Sequence, residues 1–149
     1  MYNDLTMEQS RPSWFRELDH TADTGIEVWA QSLPELFERA AWGLFAILTD
    51  PETVTPQQEV SFNLEASDVQ ALLVRWLSEL NYYHITRRWV FSRFEVQRFD
   101  EQRLHAQAWG EPIDPARHTI YTEVKAITYH GLTLRRQDGQ WYARIIFDL

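Results

Sequence analysis

The 149-residue chain has no cysteine, only five glycines, a single lysine and no apolar run long enough to cross a membrane. Each shortage removes a class of function. Without Cys there is no thiol nucleophile, no CxxC redox pair and no Cys-ligated zinc. The five glycines are scattered, which excludes a P-loop and a GxGxxG dinucleotide loop. A spanning helix needs about 20 apolar residues in succession, and here charge interrupts every apolar stretch. Acidic residues outnumber basic ones by 22 to 14, for a net charge of −8. That balance argues against a stand-alone nucleic-acid binder, whose affinity comes from many cations facing phosphates. The opening MYNDLTMEQSRPS lacks the apolar segment of a signal peptide. Residues 1–14 are therefore expected to form a flexible arm, and the protein to be cytoplasmic.

What is present suits one domain, residues 15–149, large enough to bury a core without disulfide or structural metal. Phe15 to Leu18 reads as a strand, and Ile26, Val28 and Ala30 alternate with more polar neighbours as a half-buried strand does. Ser32 with Glu35 three residues on has the spacing of a capping box, and Pro34 fits early in a helix. From there Leu36, Phe37, Ala40, Ala41, Leu44, Phe45 and Leu48 recur on one helical face, ending near Asp50-Pro51. Val60, Phe62 and Leu64 predict a strand. Ser67 is expected to cap a second helix with the stripe Val69, Leu72, Leu73, Trp76, Leu77 and Leu80. Beyond Arg88 strands are predicted over 90–99, 104–109, about 119–129, 132–136 and 141–148, with GEPIDPARH (Gly110 to His118) as a loop. Asp138-Gly139 supplies a two-residue hairpin turn. The fold class is α+β, two amphipathic helices packed on antiparallel sheets. The seven scattered Trp read as core residues rather than a stacking platform.

Three places could carry chemistry. In Asp19-His20-Thr21-Ala22-Asp23, two carboxylates four residues apart can converge on a hard cation, and an Asx-type turn is the simpler account of the same residues. The terminal IIFDL brings Asp148 beside the α-carboxylate of Leu149, which reads otherwise as a solvated end. Lys125 is the lone lysine against thirteen arginines. A compact ammonium and a guanidinium fork are not interchangeable at a site, although a mid-strand lysine also protects a sheet edge. If residues 119–129 form a strand, Glu123, Lys125, Ile127 and Tyr129 share one face. No histidine pair has metal-ligand spacing.

DHTADTGI (Asp19 to Ile26), LPELFERAAWGLFAILTD (Leu33 to Asp50), LLVRWLSELNY (Leu72 to Tyr82), FSRFEV, GEPIDPARH, VKAITYHGL (Val124 to Leu132) and IIFDL together resemble the archease family, over about residues 15–149. The stretch NYYHITRRW (Asn81 to Trp89) departs from it, many relatives being more apolar and acidic there. The resemblance implies strand–helix–strand–strand modules and a role as non-catalytic activator of the RtcB-type 3′-phosphate RNA splicing ligase. That partner would be met transiently and RNA only indirectly. It also implies a divalent-metal site, usually Ca²⁺ with Mg²⁺ or Mn²⁺ as alternatives, on Asp23, Asp148 and Leu149, with Asp19 and His20 as neighbours. Glu79 and Lys125 fall on charged family positions and are expected to face the partner. Two other classes are a chaperone for RNA-modifying enzymes such as tRNA methyltransferases, and a metal-dependent phosphohydrolase using DHTAD and His118.

Overall fold

A computed structural model describes residues 11–19 and 24–149, in which eight strands and two α-helices follow the order β1 (Phe15–Asp19), β2 (Thr24–Ala30), α1 (Leu33–Leu48), β3 (Gln58–Glu65), α2 (Val69–Arg87), β4 (Trp89–Asp100), β5 (Arg103–Pro112), β6 (Ala126–Ile127), β7 (Thr133–Gln137) and β8 (Gln140–Asp148). A 3-10 turn, Pro51–Thr53, follows α1. Ser32 caps α1 by accepting from the Glu35 amide at 3.3 Å, while the Glu35 carboxylate reaches back to the Gln31 amide at 2.9 Å. The predicted stripe of α1 is fully buried. Helix α2 starts one residue later than expected. Asp68, not Ser67, is its cap, accepting from the Ala71 amide at 2.8 Å. Ala66 and Ser67 are held instead by Gln102 in the β4–β5 turn, which leaves Asp68 as the first residue placed to cap. Arg88 closes α2 in the left-handed conformation, φ 58°, and sends the chain straight into β4.

The strands form two antiparallel sheets. One has the order β3-β5-β4; in the other β8 is central, with β2 on one side and β6 and β7 on the other, and β1 beyond β2. Each sheet contains the same unit. In β3–α2–β4–β5 the last strand lies between the other two, and β2–α1–β7–β8 repeats that arrangement. The first unit is inserted in the second, between α1 and β7. The helices lie between the sheets' apolar faces, and the Trp76 indole joins them by donating to the Phe37 carbonyl at 2.9 Å. Trp76 is the one fully buried tryptophan; the other six are half-buried at the margins, because their ring edges cover the core rather than fill it.

Two predicted boundaries are corrected. Strand β5 extends through Gly110, Glu111 and Pro112, so the loop begins at Ile113. Gly110 lies against a bulge in β4, where a Cβ would come within 1.9 Å of the Val90 carbonyl oxygen. Of the predicted strand 119–129 only Ala126–Ile127 pairs. Upstream, the Tyr121 amide donates to the Leu48 carbonyl at 2.8 Å and the Thr49 hydroxyl to the Thr119 carbonyl at 2.7 Å. The segment's backbone is therefore spent on the end of α1 instead of a ladder. Consequently Glu123, Lys125 and Tyr129 do not share the face of one strand.

The 113–118 loop is fastened to β5 by Glu111, which is 1% exposed. Its carboxylate receives both ends of the Arg117 guanidinium (3.0 and 2.7 Å), the Thr55 amide (2.7 Å) and His118 Nε2 (2.9 Å). His118 Nδ1 accepts from the Asp114 amide at 2.8 Å, so the ring proton sits on Nε2. Both nitrogens of His118 thus have structural partners. Hydrogen bonding from Arg117, opposed by burial and reinforced by Thr55 and His118, holds the Glu111 carboxyl at about 2 rather than 4.5. A depressed carboxyl pKa stabilises the fold fully above about 4.5 and loses its contribution as pH falls towards 2. Glu111→Gln should therefore cost about 1–3 kcal/mol at neutral pH. In thermal melts the gap between variant and parent should close across that acid window; a gap independent of pH would contradict this account.

Candidate functional site

The chain end is held in the sheet on both edges. Thr24 of β2 pairs with Phe147, while Ala126 and Ile127 of β6 pair with Asp148 and Phe147. The Lys125 amide donates to the Asp148 carbonyl at 2.8 Å. Ile145 and Phe147 anchor the strand in the core, 0% and 3% exposed, whereas Asp148 and Leu149 emerge at the surface. Alternation along β8 thus delivers Asp148 to solvent with its backbone fixed. The Lys125 side chain is also exposed.

Strands β1 and β2 are antiparallel neighbours with Asp19 opposite Thr24. Asp19 and Thr24, the described residues on either side of 20–23, therefore lie at the sheet end where β8 finishes. Partner Cα atoms in antiparallel ladders lie about 4.5–5.5 Å apart, so Thr24, the first described residue after the turn, adjoins the terminal dipeptide. His20, Asp23 and the side chain of Asp19 lie outside the described residues. Among the described residues no three His, Asp or Glu side chains form a metal-sized group. Those that are described, the Asp148 carboxylate and the Leu149 α-carboxylate, are hard oxygen donors and fit a Ca²⁺-like ion rather than a thiophilic one.

Glu79 is half-buried on α2. No hydrogen bond or ion pair among the described residues joins it to Lys125 or Asp148. Two of its neighbours do reach this region. The Asn81 amide donates to the Val124 carbonyl at 2.8 Å, and buried His84 contacts the Glu123 carboxylate through Nε2 at 2.7 Å and the Trp89 carbonyl through Nδ1 at 2.8 Å. Arg88 approaches the same carboxylate at 3.4 Å. Asn81 and His84 thereby fix the two residues before Lys125, and sequence reasoning passed over them. The signal was available: both polar residues continue the apolar stripe of α2, four residues after Leu77 and Leu80 respectively.

Gly25 is tightly packed behind the site, since a Cβ there would lie 2.3 Å from the Ile145 carbonyl oxygen across the β2–β8 seam. Gly25→Ala should force the strands apart beside the Thr24–Phe147 pair and cost about 1–3 kcal/mol. Hydrogen exchange should show lost protection along β8; protection equal to that of the parent would refute the close-approach argument.

Comparison with known proteins agrees with this arrangement. The model of the Archease protein family (MTH1598/TM1083) matches residues 15–149. Protein archease of Methanopyrus kandleri is 40% identical over 138 residues, which cover 91% of this chain and 99% of the relative. Protein archease of Sulfolobus acidocaldarius is 35% identical, covering 91% and 98%. The solution structure of Methanobacterium thermoautotrophicum protein 1598 superposes with a TM-score of 0.78 at 35% identity, over 91% of this chain and 99% of that one. A Thermotoga maritima crystal structure, described as an archease and possible chaperone, shares the fold with a TM-score of 0.57 at 20% identity, over 90% and 96%. With the family model matched from residue 15 to 149 and relatives of this identity aligned over nearly their full length, the chain belongs to the archease family.

Proposed function

We propose that this protein is a non-catalytic cofactor of an RtcB-type RNA ligase, promoting guanylylation of the ligase and its multiple turnover in tRNA splicing or RNA repair. One observation carries the reading: the exit of the DHTAD turn and the terminal Asp148-Leu149 dipeptide occupy neighbouring strands at one end of a sheet. A surface built this way offers carboxylates on a rigid support. Asp23, Asp148 and the Leu149 α-carboxylate would hold a divalent cation, Ca²⁺ or alternatively Mg²⁺ or Mn²⁺, with Asp19 and His20 beside them. Such an ion supplies positive charge that joins the turn to the chain end. Lys125, whose amide fixes Asp148, presents a compact ammonium next to this surface and faces the ligase; Glu79 is assigned the same role from α2. The net charge of −8 accords with leaving RNA contact to the ligase.

Guanylylation of the ligase from the same organism, measured with labelled GTP, tests the reading. Asp23→Ala should abolish stimulation while circular dichroism and melting stay close to those of the parent. Full stimulation by that folded variant would overturn the proposal, and protection of a tRNA methyltransferase from aggregation without any effect on the ligase would replace it with a chaperone role. Lys125→Arg keeps the charge and changes the donor geometry, and should reduce stimulation by about tenfold. An unchanged rate would remove Lys125 from the partner surface.

A further inference from the structure

A second site lies at the end of the three-stranded sheet where β4 turns into β5. A cleft of about 610 Å³ opens there, walled by Arg75, Arg98, Arg103, Asn63, His105 and Phe99, with the carboxylates of Glu65 and Asp100 at its rim. Its volume is in the range that accommodates small-molecule ligands.

Arg98 reaches the cleft because of a β-bulge. In β4 Val96 pairs with Ala106 of β5, yet Arg98 pairs with the next residue, His105, so Gln97 is inserted. Without that extra residue strand alternation would point Arg98 at the core and Phe99 at solvent. The bulge reverses both: Phe99 packs edge-on against Phe37, with ring centroids 5.1 Å apart, and Arg98 is exposed beside His105. The distortion is fastened from α1, where the Glu38 carboxylate accepts from the Val96 amide at 2.8 Å.

Each carboxylate around the cleft has one oxygen engaged within the protein. Asp100 Oδ1 accepts from the Gln102 and Arg103 amides, both at 2.8 Å. Glu65 pairs with Arg103 at 3.3 Å, and its carbonyl accepts from Arg75 at 3.2 Å. Asn63 Oδ1 faces His105 Nδ1, which leaves the Asn63 amide group as a donor. No hydrogen bond among the described residues uses the Arg98 guanidinium. What remains for a ligand is the fork of Arg98, the spare N–H groups of Arg75 and Arg103, and the Asn63 amide. All are donors, on three guanidinium groups beside the two partly engaged carboxylates. Guanidinium forks match phosphate oxygens bidentately.

We propose that this cleft binds a phosphate ester of nucleotide size, the phosphate on Arg98 with Arg75 and Arg103 and the organic part along the same cleft. The site shares no residue with the DHTAD turn or the chain end, so it stands or falls separately from the ligase reading.

Titration of the full-length protein with pyrophosphate, with GMP and with a short single-stranded RNA, followed by calorimetry and amide chemical shifts, tests this. Saturable binding is expected, with shifts centred on residues 98–105. Arg98→Ala should weaken it at least about tenfold, with the melting temperature unchanged because the side chain is exposed, and Asp23→Ala should leave it intact. GMP binding as tightly as RNA would support the site and identify free nucleotides as its ligands; tighter RNA binding would support it and identify strand phosphates. Absence of saturable binding by all three probes, or binding indifferent to Arg98→Ala, would overturn the proposal.

Discussion

Everything at the proposed ligase-facing end depends on the pairing of β8 along both of its edges. A strand with one partner can twist or fray, but β8 is laddered to β2 from Trp141 to Phe147 and to β7 and β6 on the other side. Its odd-numbered residues Ile145 and Phe147 are sunk in the core. Such a strand has little freedom left, and the groups at its tip inherit that rigidity. Charged side chains on mobile tails lose entropy when they engage a partner; here the ordering has been accomplished by folding.

The same economy governs the buried charges. Glu27 lies within the sheet surface and is 7% exposed, yet it receives the Tyr142 hydroxyl and the Arg16 guanidinium. Burial alone would raise its carboxyl pKa; Tyr142 and Arg16 together outweigh burial and lower it. Glu111 is treated similarly on the other sheet. Each buried carboxylate joins segments distant in sequence, Glu27 linking three neighbouring strands and Glu111 fastening a loop and the segment after α1 to β5. Ionic groups thus set which pieces of chain meet, while the aromatic and aliphatic core supplies the cohesion.

The helices, the β7–β8 hairpin and the α+β class were legible because each has a local cause: an apolar period of 3.6, a cap, an Asp-Gly turn with φ of 54° and 80°. The bulges of β4 were also written in the sequence but not read there. Its core-facing residues run Phe91, Phe94, Val96, Phe99, switching parity twice, and each switch falls at a register shift. The overestimated strand at 119–129 failed for a different reason. Its composition suits a strand, but its hydrogen-bond partners are the end of α1 and Asn81 on α2, which no local pattern announces. At the site, composition singled out Lys125 and chain position Asp148, the resemblance supplied their expected roles, and the hydrogen bond between their backbones came only from the fold. Asn81 and His84, which hold the segment preceding Lys125, were polar residues in an apolar stripe whose purpose needed the third dimension.

The nested arrangement of the two units has a consequence for biosynthesis. Strands β3 to β5 with α2 form a contiguous unit that can assemble from local contacts while later residues are still being added. The enclosing unit must instead keep β2 and α1 waiting until β7 and β8 arrive at the far end of the chain, a pairing of high sequence separation and correspondingly slow closure. Until β8 is in place, the edge of β2 that faces it has no partner and the sheet end beside Thr24 is not assembled. Pairing of β8 with β2, a contact between segments more than a hundred residues apart, is therefore the step that brings that end of the sheet together.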